Sequence, residues 1–303
     1  MARVAGLGQS MIGPAMGFSS ENFQIDSARV GDRFEISVTL PPGYRDDAAT
    51  PYPVLYSPDS HTNCAMTVAA TTVMIGDRGR PVHPYILVNI GYADADMRES
   101  LILRNRDFAP PGEKVPEEEM RRHIDGRRLT GDEIEVFMRR AQNGRADNFL
   151  AFLQEELHAE ILRRYRVEPD HAGLFAHSYG GLFSLYVFTA RGAFFNRICA
   201  ASPGVLTDES QIYGRCKAMA EGGLPPGWKV DLFVTMSELE ITGPHEIYRM
   251  LGVGTLRFID MLIAAPLPGL RLGHAVIPNE NHFSTVFEAF RRFVRHAYPA
   301  RKR

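Results

Sequence analysis

At 303 residues, with 45% hydrophobic and 23% charged residues and a formal net charge of -2, the chain is long enough to bury a sizeable core and lacks the basic excess of a nucleic-acid binder. Its three cysteines, Cys64, Cys199 and Cys216, are odd in number and without CxxC spacing, so neither a disulfide framework nor a zinc site is indicated, and no metal or other cofactor is expected. No stretch approaches the ~18 consecutive apolar residues of a membrane span, so no membrane partner is expected either.

The first segment, MARVAGLGQSMIGPAMGF, is interrupted by glycine, glutamine, serine and proline, and it lacks the apolar run of a signal peptide; a cytoplasmic protein is the expectation. FEISVTL (34–40) and PVLYSP (53–58), rich in β-branched and aromatic residues, are predicted strands, followed by a helical pattern over 62–75 and a third strand, YILVNIGY, over 85–92. From about 109 to 145 the rhythm breaks. Pro110, Pro111 and Gly112 open a strongly charged stretch with few large apolar residues, which reads as a partly helical lid or surface insertion within a single domain spanning 1–303, a solvated loop being the alternative. The arginine clusters there (Arg121-Arg122, Arg127-Arg128, Arg139-Arg140) and at the end of the chain (Arg291, Arg292, Arg295, Arg301, Lys302, Arg303) read as solvated helix faces and a basic tail.

Beyond the insertion, Phe149, Phe152, Leu153, Leu157 and Ile161 recur at helical spacing, predicting an amphipathic helix over 148–166. Strands over 172–177, 197–202, 230–236 and 272–278 then alternate with helical segments over 182–192, 245–265 and 285–298, and these later strands look buried on both faces. Strand followed by helix, repeated, predicts an α/β protein with a mostly parallel sheet and helices on both faces.

AHSYGG (176–181) lies between the fourth predicted strand and the next helix. Small residues two before and two after Ser178 are what a strained strand-to-helix nucleophile turn requires, because bulk at either place would meet the neighbouring strand or helix. The helix start sets its dipole and free N–H groups beside the serine oxygen, with Tyr179 N–H as the first oxyanion donor. A glycine-rich bend alone is a weak signal. A phosphate loop is disfavoured, since no lysine follows in the spacing GxxxxGK[ST]. An acid and a histidine do follow in order: Glu238 and Glu240 after the 230–236 strand, and His282 after the 272–278 strand, placed to act as general base and acid. His274 lies inside a strand pattern and reads as structural.

Together, FEISVTLPPGY, YPVLYSPDS, NIGY with RNRDFAP, GRADNFLAFLQEEL, AHSYGGLFSLYVF, CAASPGV, FVTMSELE and ENHFSTV resemble the Putative esterase family of α/β-hydrolases over most of the chain, in particular the branch of enterobactin-type trilactone esterases. The resemblance implies an α/β-hydrolase fold and ester hydrolysis through a serine and a histidine. It places the acid on Glu240, although some members manage with a serine–histidine dyad, and the second oxyanion donor on His61 N–H, with Asp59 structural. It also sets Arg104 and Arg106 beside the pocket, where they would bind an anionic or catecholate-rich substrate or pair with neighbouring acids. Ala176, Ser60 and Ser237 each replace an expected glycine, the departure at Ser60 stiffening the early turn. Tyr92, Phe108 and Phe283 are expected to shape the pocket.

These readings predict a serine hydrolase acting on a small-molecule carboxylic ester, lactone or thioester through an acyl-enzyme. An acyltransferase or cyclase using the same groups, and a non-catalytic binding protein on the same fold, are the alternatives. A homo-oligomer is left open.

Overall fold

The computed structural model describes residues 4–9, 17–46, 49–125, 129–190 and 193–300. Nine strands form one sheet: β1 (Val4–Gln9), β2 (Ser19–Asp26), β3 (Arg33–Leu40), β4 (Tyr52–Pro58), β5 (Ile86–Tyr92), β6 (Val167–His177), β7 (Phe195–Ala201), β8 (Val230–Ser237) and β9 (Leu270–Ile277), in the order β1-β2-β3-β5-β4-β6-β7-β8-β9. β1, β2, β3 and β5 pair antiparallel; from β5 through β4, β6, β7 and β8 to β9 every pairing is parallel. Every residue of β4 and β5 is buried, as strands covered on both faces must be. The alternation of strand and helix predicted this mostly parallel sheet covered on both faces, and the α/β-hydrolase fold is what the family resemblance implied.

Helices cover both faces. α1 (Ser60–Gly76) and α11 (Thr285–Ala297) bury Met66, Met74, Phe290 and Phe293 against one face, where Phe175 meets Phe290 edge-on. On the other face lie α5 (Ala146–Ala151), α6 (His158–Arg164), α7 (Tyr179–Thr189), α8 (Gln211–Gly222) and α10 (Glu246–Ala264), packed around Phe149, Phe183 and Phe258. The predicted 148–166 helix runs over α5 and α6, joined through a π-helical turn at Phe152–Leu157 that keeps Phe152, Leu153 and Leu157 buried. α7 begins three residues earlier than its apolar pattern announced, directly after Ser178.

α2 (Met97–Phe108) was not apparent as a helix, since its sequence is polar; the Asp96 carboxylate caps it by accepting from Glu99 N–H. The insertion carries two helices, α3 (Glu117–Asp125) and α4 (Gly131–Gln142). α4 opens with a capping box between Thr130 and Glu133, and Ile134, Met138 and Ala141 form its buried stripe. Helix α9 (Leu239–Thr242) is a single turn following β8. β9 departs from expectation: it lies at the sheet edge and alternates exposed with half-buried residues rather than being covered on both sides. Arg127-Arg128 and the terminal Arg301, Lys302 and Arg303 lie outside the described residues.

Candidate active site

The site forms where β6, β8 and β9 end, on the side of a parallel sheet at which ligands bind in open α/β folds. Ser178 occupies the turn between β6 and α7 with φ 63 and ψ -124, a backbone region that residues with a Cβ seldom enter. Two hydrogen bonds hold it there: Ser178 N–H donates to the Ala201 carbonyl at 2.9 Å, and its own carbonyl accepts from Gly204 N–H at 2.8 Å. The glycines that follow are required by space. A Cβ at Gly180 would stand 2.9 Å from the Ala176 Cβ, and one at Gly181 would stand 2.7 Å from the Ala201 carbonyl oxygen. Ala176 in place of glycine is therefore accommodated because position 180 is glycine.

His282 sits on the turn after β9. Its Nε2 lies 3.0 Å from Ser178 Oγ, and its Nδ1 lies 2.5 Å from Glu240 Oε1. Glu240, fully buried in α9, spends its other oxygen on the Ser237 N–H at 2.7 Å and the Ser202 hydroxyl at 2.9 Å. A carboxylate that accepts from Nδ1–H leaves Nε2 with its lone pair toward the serine hydroxyl. Of the two candidate acids, Glu240 reaches the histidine; Glu238 instead accepts from Asn279 N–H at 2.7 Å and ties the β8 turn to the β9 turn. His274 lies in β9, exposed and away from the pocket. Ser237 ends β8 without a positive φ, so its replacement of glycine brings no backbone conflict.

Two helix starts line the same cavity as Ser178. Tyr179 N–H opens α7, and His61 N–H lies in the first turn of α1, where helix N–H groups have no carbonyl four residues back. Thr62 and Asn63 both donate to the Asp59 carbonyl, so His61 N–H is left in that turn, while its ring donates from Nε2 to the Tyr92 carbonyl at 3.0 Å. The left-handed residue of this loop is Asp59, with φ 63, and Ser60 begins the helix. The strain expected at Ser60 therefore resides one residue earlier, in Asp59.

Asp59 is fixed by Arg104 through two bonds of 2.7 and 2.8 Å, and the same guanidinium donates to the His177 carbonyl at 3.3 Å. Arg104 thus lines the pocket but is committed to a carboxylate. Arg106 does not line the pocket: it is held by Asp107 at 2.6 Å and by Asp32, as the salt-bridge alternative anticipated. Phe108 is also outside the lining, buried against Phe149 and Phe183 in the core because it is the last residue of α2 and turns inward. Tyr92 lines the cavity with its hydroxyl donating to Asp107 at 2.7 Å, and burial raises its phenol well above the ordinary value. Phe283, 56% exposed, stands at the rim.

Two residues escaped the sequence reading as partners of the histidine. Tyr248 of α10 stacks on the His282 ring, centroids 4.8 Å apart and planes 17° apart, and His177 covers it from another side at 4.7 Å. Burial first, then the neighbouring His282 and Arg104, hold the His177 ring well below the usual imidazole value, so it stays neutral. Tyr248 belongs to an ordinary amphipathic pattern, and only the packing of α10 over the β9 turn brings it to the site. Above these groups is a cavity of about 330 Å³, reached by Met120 and Ile124 of α3 and Phe137 of α4 from the insertion. Among the described residues, no cluster of three or more His, Cys, Asp or Glu side chains is placed to hold a metal ion, and no helix is long and apolar enough to cross a membrane.

A model of the Putative esterase family matches residues 27–231. The ferri-bacillibactin esterase BesA of Bacillus subtilis is 27% identical over 241 residues, covering 78% of this chain and 75% of that protein. The siderophore triacetylfusarinine C esterase of Aspergillus fumigatus is 25% identical over 212 residues, covering 67% of this chain and 62% of its own. Among solved structures, the siderophore hydrolase EstB from Aspergillus nidulans superimposes with a TM-score of 0.73 at 20% identity, over 92% of this chain and 95% of that one. The BES protein from Bacillus cereus gives 0.72 at 20% identity, over 97% and 98%.

Proposed function

The chain belongs to the Putative esterase family, and from that premise we propose that it is a serine hydrolase that cleaves a small-molecule carboxylic ester or lactone through an acyl-enzyme. The observation that carries this reading is the continuous contact from Glu240 through His282 to Ser178, 2.5 and 3.0 Å, at the floor of the cavity. Ser178 Oγ attacks the carbonyl carbon while His282 Nε2 takes its proton, and Glu240 stabilises the imidazolium. The carbonyl oxygen becomes an oxyanion held by the N–H groups of Tyr179 and His61. As the tetrahedral intermediate collapses, the bond to the leaving alcohol breaks and Nε2 returns the proton to it. Water then repeats the sequence on the acyl-enzyme, releasing the acid and the free serine.

The neutral His177 and the Tyr248 ring confine the His282 imidazole, so the base is oriented before substrate arrives. The 109–145 insertion acts as a lid, in keeping with the α3 and α4 residues that reach the cavity. Hydrolysis of p-nitrophenyl acyl esters by the wild type, Ser178→Ala and His282→Ala tests the assignment. Each substitution is expected to reduce turnover by several orders of magnitude with the fold retained. A wild-type rate no higher than that of Ser178→Ala would sink it.

A further inference from the structure

The walls of the cavity carry a second message, about what kind of ester enters. Its apolar wall comes from Met120 and Ile124 of α3, Leu129, Phe137 of α4, and Ile247 and Leu251 of α10, with the uncharged Asn63, Ser100 and Asn105 as buried polar neighbours. Met120, Ile124, Ile247 and Leu251 are buried. At the mouth stand Phe283 and Phe287, 56% and 57% exposed. The cationic side chains that reach the same space are already paired. Arg104 is bound in bidentate fashion by Asp59, with both side chains about nine-tenths buried, and Arg98 is bound by Glu133.

An anionic ligand needs cations with free donors: to use Arg104 it would have to draw it from Asp59 inside a low-dielectric space and leave that acid uncompensated, while the Arg98–Glu133 pair, 48% and 31% exposed, offers only a solvent-screened charge. An uncharged apolar group meets no such obstacle and gains with each methylene it buries. Resting on the hydrolase reading above, we propose that the site selects uncharged esters bearing a medium-length aliphatic or aryl group, housed between α3, α4 and α10, over anionic iron-loaded catecholates. Selectivity resides in the insertion, because the β-sheet side of the cavity is occupied by the reacting groups.

The test uses the full-length protein and two ester series. One lengthens the acyl chain of p-nitrophenyl esters, and the other lengthens the alcohol of simple butyrates, followed by acid release. In at least one series kcat/KM is expected to rise by about fourfold per methylene until the cavity is filled. The best of these esters is expected to exceed a ferric tris-catecholate trilactone by about tenfold or more. Leu129→Trp, at a half-buried position before α4, is expected to reduce the advantage of the longest chain over the shortest by about tenfold, with the fold checked by circular dichroism. Ile124→Ala provides a second, smaller change at the same wall. Flat or falling series, preference for the ferric catecholate, or an unaltered chain-length profile in both variants would overturn the proposal while leaving ester hydrolysis standing. A wild type indistinguishable from Ser178→Ala on every ester would remove the hydrolase reading and this inference together.

Discussion

Replacing Glu240 with glutamine keeps the shape of the buried side chain and removes its ability to accept from every side. The wild-type carboxylate accepts three hydrogen bonds, from His282 Nδ1–H at 2.5 Å, Ser237 N–H at 2.7 Å and Ser202 Oγ–H at 2.9 Å. An amide has one oxygen and one NH2 group, so it can satisfy one side only. With its NH2 toward Ser237 and Ser202 it would confront the Ser237 N–H, a buried donor that cannot change role, at a cost of about 1–3 kcal/mol, while the Ser202 hydroxyl could rotate to accept. With its NH2 toward His282 it confronts one group, and the imidazole can relieve that conflict by moving its proton to Nε2. The second orientation therefore wins, and it is the damaging one, because a protonated Nε2 cannot accept the Ser178 proton. The loss of the correct tautomer and of the charge facing the imidazolium is expected to cost about 4–5 kcal/mol in transition-state stabilisation, or three to four decades in kcat/KM. Steady-state hydrolysis of a p-nitrophenyl ester by Glu240→Gln, with Glu238→Gln as the comparison, measures it. Glu238→Gln is expected to stay within about threefold of wild type, since it touches the turn and not the ring. A Glu240→Gln enzyme within tenfold of wild type, or a Glu238→Gln enzyme equally impaired, would refute the reasoning.

Arg104→Ala leaves Asp59 buried without its counter-ion, and a loss of about 3–5 kcal/mol in stability is expected, read as a fall in Tm by differential scanning fluorimetry. Arg104→Lys keeps the charge but not the two-pronged geometry and is expected to fall between; an unchanged Tm for the alanine variant would contradict the pairing. Glu113, whose carboxylate accepts from Gln211 N–H at 3.2 Å, is pushed up to about 7 by burial. Between its ordinary value of 4.5 and about 7 the folded protein holds a proton that the unfolded chain has released, so its contribution to stability is present at acid pH and is lost as pH rises through that window. Glu113→Gln is expected to remove about 2–3 kcal/mol of that decline, measured by urea unfolding at pH 5 and pH 8, and equal slopes in both proteins would count against it.

The parallel half of the sheet was legible in the sequence because buried strands such as PVLYSP and VDLFVTM are short, mainly apolar, β-branched and aromatic runs bounded by turns. β2, by contrast, reads SSENFQID, and its half-exposed residues give neither a run nor a strict alternation. β9 was recognised as a strand but not as an edge, since neighbours in a sheet are a property of topology rather than of the run itself. In the site, Ser178 and His282 are announced by their turns and their order. The choice of Glu240 over Glu238 depends on which way a single helical turn points after β8, and that was available only through the resemblance to relatives. Arg104 and Arg106 look equivalent in RNRDF, yet two residues along a helix point in different directions: one ties Asp59 beside the pocket and the other joins Asp32 and Asp107. The role of Tyr248 rests on a contact between residues 34 positions apart on separate elements, which no local pattern encodes.

The edge position of β9 has a kinetic consequence. His282 is delivered by a strand with a neighbour on one side only, steadied by the ion pair of Arg271 with Asp231 and by the link from Glu238 to Asn279. Opening free energies within a native protein are lowest at such margins. On the proposed serine–histidine reading, activity is therefore expected to have its own melting curve, displaced below that of the sheet as a whole: on heating the base is expected to leave before the fold does, and on refolding the serine to stay silent until the outermost strand has docked.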